Sequence, residues 1–457
     1  MAKAFAVYES FGFEPLQTPA FEFADALGKF LPDEDRPNTG VFALRDDDEQ
    51  WLSLRYDLTA PLARFVAENY NDIPKPFRRH QAGSVWRNEK PGPGRFREFV
   101  QCDADTVGAG SAASDAEMIM VAAEVARAAG LAGDQFQVRV NNRKLLDGLL
   151  ETAGVETDPL KRLRTLRAID KLDRLGRDGV EALLGEGRED ESGDYTDGAK
   201  LAPRAIDSVL DFTELTGGSR TETTATLERL VGSTARGVEG VAELRAVQAL
   251  LEATGYGEDA VAFDTSVVRG LGYYTGVVFE VELLADIRDA KGRPVRVGSI
   301  GGGGRYDDLV SRFRGQAVPA TGFSFGVSRF LSALERLGRI EAVAQPPVIV
   351  CVFDRSLMPH YFRLAQDLRA GGIRAEVFVG GGNVTKQLKY ADRRGAKVAV
   401  LMGEDELAAG RVTLKDLVAG AEAAREIETN AEWKAARPAQ VEVPRAELVA
   451  RVRELLA

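Results

Sequence analysis

Five arginines, Arg87, Arg95, Arg269, Arg305 and Arg329, stand in glycine-punctuated, strand-like segments of this chain, together with Asp57, Glu89, Asp103 and Asp105. A guanidinium is a planar fork that binds phosphate oxygens bidentately, so the set suits a polyphosphate. A charge pair near 4 Å is worth about 4 kcal/mol at an intermediate dielectric, enough for two such arginines to matter in a transition state. His80 and His360 are the only histidines, and neither falls in a Ser-His-Asp or Cys-His arrangement. Catalysis is therefore not expected to run through a histidine base, and a histidine-rich zinc site is excluded. Cys102 and Cys351 lie far apart, which excludes a disulfide framework and a cysteine metal site.

Such residues need rigid elements to hold them. Gln81 to Glu89 and Glu98 to Val107 read as antiparallel strands, joined by a loop from Lys90 to Arg95 in which proline and glycine interrupt the ladder. Side chains alternate across a strand. Arg87 and Glu89 then share a face, as do Gln101, Asp103 and Asp105, with Val100, Cys102 and Ala104 opposite. A face so polar reads as the floor of a site. Ala2 to Phe11 reads as a helix ended by Gly12, Phe13 to Pro19 as extended, and a second helix is expected by residue 30. Trp51 to Tyr56 reads as a strand and Thr59 to Asn69 as a helix. Gly301 to Gly304 lacks the Lys-Ser/Thr of a phosphate-binding loop and the spacing of a dinucleotide motif. The run fits either a tight turn or a close approach of backbone to ligand.

The 457 residues suggest about three domains. Hydrophobic residues at 44% and charged residues at 28% exclude a fibrous or wholly disordered chain. No uncharged run approaches the ~18–20 residues that cross a bilayer, and Glu9 interrupts what would be a signal peptide. A cytoplasmic location is expected. The net charge of −11 is the wrong sign for a nonspecific nucleic-acid coat, although local basic patches can still hold RNA.

Residues 142–262 are helical in pattern, with Arg188 to Lys200 read as an exposed loop. Lys161, Arg164, Arg167, Lys171 and Arg174 recur at helical spacing, as either a solvated face or an RNA-contacting stripe. Strands are expected at Tyr273 to Leu284 and Val295 to Ile300, then a strand and helix over Thr321 to Leu334. Pro346 and Pro347 mark a linker. Beyond it, Val348 to Phe353, Ala375 to Val379 and Val398 to Met402 alternate with helices at 359–370 and 384–394, the spacing of a small parallel-sheet domain able to fold alone. Gly380-Gly-Gly-Asn383 could cradle a phosphate at a helix start or be a plain connection.

Several segments together resemble the histidyl-tRNA synthetase family of class II aminoacyl-tRNA synthetases. Motif 2 is matched by Val85-Trp-Arg-Asn-Glu89 and Arg95-Phe-Arg-Glu-Phe99, and motif 3 by Gly322-Phe-Ser-Phe-Gly-Val-Ser-Arg329. The histidine-specific segments resemble Leu54-Arg-Tyr-Asp-Leu-Thr59, Arg269-Gly-Leu-Gly-Tyr-Tyr-Thr-Gly276 and Gly302-Gly-Gly-Arg-Tyr-Asp307. The last domain resembles the family's anticodon-binding domain, including Gly403-Glu-Asp-Glu406 and Val412-Thr-Leu-Lys-Asp416.

The resemblance implies an α+β fold. Its catalytic core is an antiparallel sheet over 1–141 and 263–340, with a helical insertion at 142–262 and an α/β anticodon-binding domain at 346–457. It implies ATP-dependent activation of L-histidine to the adenylate, with Mg²⁺, then transfer of histidine to its tRNA by a homodimer. Carried over, Arg87 would hold the ATP α-phosphate, Glu89 the adenine side and Arg95 the outer phosphates, while Arg329 would clamp the nucleotide from the other side. Arg269 would act at the α-phosphate, which makes Arg87, Arg269 and Arg329 the catalytic set. Asp57, Thr59 and Gln101 would bind the α-amino end of histidine. Asp105, Tyr273, Tyr274 and Tyr306, with Arg269, complete the implied histidine-binding set, and no side chain is assigned to a metal.

This sequence also departs from the family pattern. Gly272 stands where the family has Asp, and Ser328 where Glu commonly precedes the motif 3 arginine; the Lys90-Pro-Gly-Pro-Gly loop also differs from the common form. Pro19 takes the motif 1 proline position and the usual N-terminal arm is lacking, so a truncated start is expected. The main rival is the histidine-binding regulatory subunit of ATP phosphoribosyltransferase, which typically lacks the last domain. Another class II synthetase, such as a glycyl, threonyl or prolyl enzyme, is opposed by the Arg269–Gly276 segment.

Overall fold

Alternation along the two longest strands decides which way this molecule faces. The computed structural model of the chain describes residues 1–23, 40–92, 94–155, 158–169, 171–189, 193–215, 217–268, 270, 273–285, 287–288, 292–293, 298–340, 345–419 and 439–456. The chain forms two compact units, Met1–Ile340 and Glu341–Ala457.

The first unit carries thirteen strands among the described residues. They are β1 (Glu14–Pro15), β2 (Phe21–Phe23), β3 (Ala43–Arg45), β4 (Trp51–Leu54), β5 (Phe77–Trp86), β6 (Glu98–Val107) and β7 (Phe136–Asn142). Then follow β8 (Gly187–Glu189), β9 (Tyr195–Asp197), β10 (Val261–Phe263), β11 (Val277–Leu283), β12 (Ser299–Arg305) and β13 (Ala320–Gly326). Eight of these form one sheet in the order β1-β5-β6-β13-β12-β11-β7-β10. Its pairs are antiparallel except β1 with β5 and β7 with β10.

On β6, Cys102 and Ala104 face the apolar core with Phe323 and Phe325 of β13. Helices Ala2–Ser10 and Ala112–Ala128 bring Tyr8, Ile119 and Ala123 to the same core, and the Tyr8 hydroxyl donates to the Cys102 carbonyl at 2.7 Å. Gln101, Asp103 and Asp105 therefore point to the other face.

The glycine run is a strand, not a tight turn. Gly301 to Gly304 lie inside β12, between β11 and β13, and the packing requires bareness at Gly301 and Gly303. A Cβ on Gly303 would come within 2.1 Å of the Gly322 carbonyl oxygen, and one on Gly301 within 2.8 Å of the Phe323 ring. On the polar face, a Cβ at Gly322 would fall 2.0 Å from Asp105 Oδ1.

Other expectations change in detail. β5 begins at Phe77 and ends at Trp86, so Arg87 and Glu89 lie just past its end. The segment after Pro19 begins as strand β2; the rest of the second helix expected there lies outside the described residues. Arg188 to Lys200 contains the β8–β9 hairpin rather than a plain loop. Lys161, Arg164 and Arg167 share helix Pro159–Ile169, whereas Arg174 belongs to Leu172–Leu184, which Lys171 precedes, so the five cannot form one helical stripe. Arg164 is engaged with Asp197 at 3.1 Å and with the Gly198 carbonyl at 3.0 Å. The helices between β7 and β10 share the core of the sheet through Leu145, Leu149, Val241 and Leu244.

The second unit contains β14 (Val348–Val350), β15 (Ala375–Val377), β16 (Val398–Leu401), β17 (Arg411–Asp416) and β18 (Gln440–Pro444), in the order β15-β14-β16-β17-β18. The first three are parallel, with helices Met358–Ala370 and Val384–Arg393 between them. Asn383 caps the second helix, its side chain accepting from the Lys386 amide at 3.1 Å, so the glycines before it serve a capped connection.

Candidate active site

The polar face of the large sheet opens into a cavity of about 550 Å³. Its floor includes Gln101 and Asp105 of β6, with Gly302, Gly322 and Ser324 beside them. Small residues on these central strands leave the volume that larger side chains would fill.

Asp57 and Thr59 line one wall. Asp57 Oδ1 accepts from the amides of Thr59 at 3.0 Å and Ala60 at 2.8 Å, at the start of helix Thr59–Glu68. This caps free helix amides and fixes the carboxylate.

Arg87, Glu89 and Arg95 form a second wall. The Arg87 amide donates to the Arg97 carbonyl at 2.8 Å, continuing the strand pairing one step beyond β5. Tyr273, Tyr274 and Tyr306 form a third. Arg329, on helix Val327–Arg336, enters from another side and donates to the Ser299 carbonyl at 2.9 Å. Ser328 turns away to accept from the Val100 amide at 2.9 Å.

The cavity thus brings together Arg87, Glu89, Arg95, Arg329, Asp57, Thr59, Gln101, Asp105, Tyr273, Tyr274 and Tyr306. Arg269 lies outside the described residues, although Gly270 and Tyr273 on its C-terminal side line the cavity.

Two residues grouped with these by sequence stand elsewhere. Asp103 shares the face but is buried without lining the cavity. Burial, and then the neighbouring Asp105, push its carboxyl well above the ordinary range. Arg305 is buried too, and its guanidinium is saturated by Asp115 at 2.8 and 3.0 Å, Asp307, the Ser114 hydroxyl and the carbonyls of Ala109 and Ser111. It braces the sheet against helix Ala112–Ala128 instead of reaching a ligand.

Sequence reasoning missed the residues that brace the walls, of which Tyr56 and Phe99 line the cavity and Arg79 lies behind it. Tyr56 lies under the Arg87 guanidinium, 4.3 Å from ring centre to Cζ, and Phe99 stands at 5.1 Å. Arg79 is fully buried and pairs with Asp105 at 2.8 Å. Only the strand register exposes Arg79, which stands opposite Asp105 across β5–β6. Asp105 Oδ1 in turn accepts from the Tyr306 hydroxyl at 2.5 Å. Burial and Asp105 push the Tyr306 phenol far above its ordinary value, so it stays protonated. Among the described residues, no group of three or more His, Cys, Asp or Glu side chains is placed to hold a metal ion. Nor is any helix among them long and apolar enough to cross a membrane.

A scan against known families places residues 1–330 in the histidyl-tRNA synthetase family and 347–455 in the anticodon-binding domain family. Over 453 residues the chain is 57% identical to the histidine--tRNA ligase of Caulobacter vibrioides, covering 99% of this chain and 91% of that protein. It is 56% identical to the histidine--tRNA ligase of Rhizobium meliloti, covering 100% and 92%. Its fold matches the crystal structure of histidyl-tRNA synthetase from Nostoc sp. PCC 7120 with a TM-score of 0.70 at 29% identity, over 99% of this chain and 94% of that one. On the family match across both units, the chain belongs to the histidyl-tRNA synthetase family, a family of class II aminoacyl-tRNA synthetases.

Proposed function

We propose that this cavity activates L-histidine with ATP, and that the chain then transfers histidine to the terminal ribose of its tRNA. In the first step a histidine carboxylate oxygen attacks the α-phosphorus. The bond to the bridging oxygen of pyrophosphate breaks, and pyrophosphate leaves with that electron pair. Charge is redistributed over phosphorus oxygens, so fixed cationic donors serve the step better than a general base.

One observation carries this reading: arginines from separate elements, Arg87, Arg95 and Arg329, share a cavity with carboxylates and tyrosines suited to an amino acid. Arg87 and Arg329, with Arg269, are proposed to act at the phosphates, and Glu89 and Arg95 to hold the rest of the nucleotide. Asp57, Thr59 and Gln101 are proposed for the α-amino group, and Asp105, Tyr273, Tyr274 and Tyr306 for the imidazole. A site built to hydrogen-bond a polar side chain rejects apolar isosteres strongly, because its buried groups would be left unpaired.

ATP is proposed to arrive as its Mg²⁺ complex, since Mg²⁺ commonly binds through substrate phosphates with one or two carboxylates. The division at 142–262 and 346–457 into helical insertion and tRNA-reading domain belongs to the same reading, as does a cytoplasmic location. A homodimer is supported by Phe21, Phe23 and Leu44, which share one face of the small β2-β4-β3 sheet and are each more than 40% exposed. The regulatory-subunit alternative is not favoured, since the full-length relatives are ligases and residues 347–455 match an anticodon-binding domain.

The test is amino-acid-dependent exchange of labelled pyrophosphate into ATP. Exchange with histidine and no other amino acid is expected. Histidine binding by calorimetry without exchange would return the regulatory reading.

A further inference from the structure

Arg79 is among the largest fully buried side chains among the described residues, and it does not line the cavity. A buried guanidinium is costly unless its surroundings compensate it. Here its Nη2 atom lies 2.8 Å from Asp105 Oδ2 and donates to the Leu58 carbonyl at 2.9 Å, while Nη1 donates to Gln81 Oε1 at 3.0 Å. Asp105 belongs to the floor, and Leu58 sits between Asp57 and Thr59 of the first wall. One side chain therefore joins the proposed imidazole end of the cavity to its proposed α-amino end.

We propose that Arg79 is a positioning residue for histidine recognition, holding Asp105 as an anion so that the Tyr306 hydroxyl is committed to it as donor. The inference rests on the histidine-activating reading above.

Tyr306 has one proton to donate, and Asp105 Oδ1 takes it. The phenol oxygen then offers only lone pairs to a ligand. A histidine imidazole N–H meets an acceptor there, and a ligand carrying only acceptors is refused. Burial, and after it the Asp57 carboxylate, raise the Asp105 carboxyl above its ordinary range; Arg79 is the largest influence opposing that rise, the Tyr306 hydrogen bond acts the same way, and the neighbouring Asp103 is itself pushed well up. Without the guanidinium, nothing of that size opposes burial, and the Asp105 carboxyl keeps its proton to higher pH. The resulting acid can itself donate to Tyr306, whose own proton then swings free and confronts the imidazole N–H.

The test is histidine-dependent pyrophosphate exchange by the full chain, with Arg79→Met, Arg79→Lys, Asp105→Asn and the Arg79→Met/Asp105→Asn double variant. Arg79→Met is expected to raise the KM for histidine roughly 10- to 100-fold, the range of one lost guanidinium–carboxylate contact. The KM for ATP is expected to stay within about twofold. Expressed as the ratio to the unaltered chain at each pH, which cancels the titration of histidine itself, that rise should shrink as pH increases and Asp105 ionises. Arg79→Lys, which keeps the charge and loses the fork, should recover part of the affinity. The double variant should be no worse than Asp105→Asn alone, because both act through one carboxylate.

Equal losses in histidine and ATP KM, or a histidine defect independent of pH, would make Arg79 merely structural and overturn the proposal. If Arg79→Met fails to fold, the neutral Arg79→Gln carries the decision in its place: a histidine KM defect that shrinks as pH rises supports the proposal and a pH-independent one overturns it. Should the unaltered chain show no histidine-dependent exchange, the activating reading fails first. If it exchanges normally and the variants do not behave as stated, only the role of Arg79 fails.

Discussion

The guanidinium of Arg87 lies 4.3 Å above the ring of Tyr56, and the Tyr56 hydroxyl donates to Glu89 Oε1 at 3.2 Å. Arg87 also donates through Nε to the Tyr56 carbonyl at 3.4 Å. One aromatic side chain thus supports both an arginine and an acid of the proposed nucleotide wall. Both residues lie past the end of β5, where the Arg87 amide makes one last ladder bond to Arg97, so the tyrosine adds rigidity as the ladder ends.

Tyr56→Leu should therefore loosen Arg87 and Glu89 together. A cation–π contact and a hydrogen bond to a charged group are lost, each worth about 1 kcal/mol, so the KM for ATP should rise about thirtyfold. The KM for histidine should change much less. Steady-state pyrophosphate exchange at varied ATP and histidine decides it, and unchanged ATP kinetics would remove Tyr56 from the site.

Neighbouring glycines of β12 should respond differently to the same added methyl group. Gly303→Ala sets a Cβ 2.1 Å from the Gly322 carbonyl oxygen, so β12 and β13 must separate, at a cost of about 3 kcal/mol. At Gly302 the nearest atom is the Phe279 carbonyl oxygen at 3.3 Å, and the residue lines the cavity. Gly302→Ala should keep most of the stability and weaken ligand binding. Denaturant unfolding of both variants, paired with exchange kinetics, checks the contrast.

Arg305→Met should damage the fold. The substitution leaves the Asp115 carboxylate buried opposite no cation, which costs roughly 3–5 kcal/mol. The expected result is a large fall in the urea midpoint. A variant of ordinary stability that has lost ATP binding would instead put Arg305 back among the phosphate ligands.

His80 should make stability depend on pH. It is buried against the rings of Phe5 and Tyr8. Burial lowers its pKa from 6.5, partly opposed by Glu9 at 3.8 Å and assisted by Arg79. The unfolded chain then binds the proton more readily than the native one, so this contribution is full above pH 6.5 and is lost as pH falls from there through the depressed native value. His80→Asn should flatten the fall of thermal stability below pH 6.5. An unchanged slope would assign the dependence to other groups.

The sequence by itself determined which residues could do chemistry and on which face of β6 they stand. Gln101 and Asp105 share a face with Asp103, opposite Cys102 and Ala104, because strand alternation is a local property that needs no partner strand. The βαβαβ order of residues 348–401 was legible for the same reason. Tertiary structure alone decided register and depth. It set Arg79 opposite Asp105, drew the glycine run into the middle of the sheet and ended β5 one residue short of Arg87. It also buried Arg305 against Asp115 while leaving Arg329 in the cavity, although both are arginines in glycine-rich strand and helix segments. Local pattern fixes the direction of a side chain. What lies at the end of it depends on strands hundreds of residues away in the chain, and only their packing settles whether an arginine meets a ligand or a buried carboxylate.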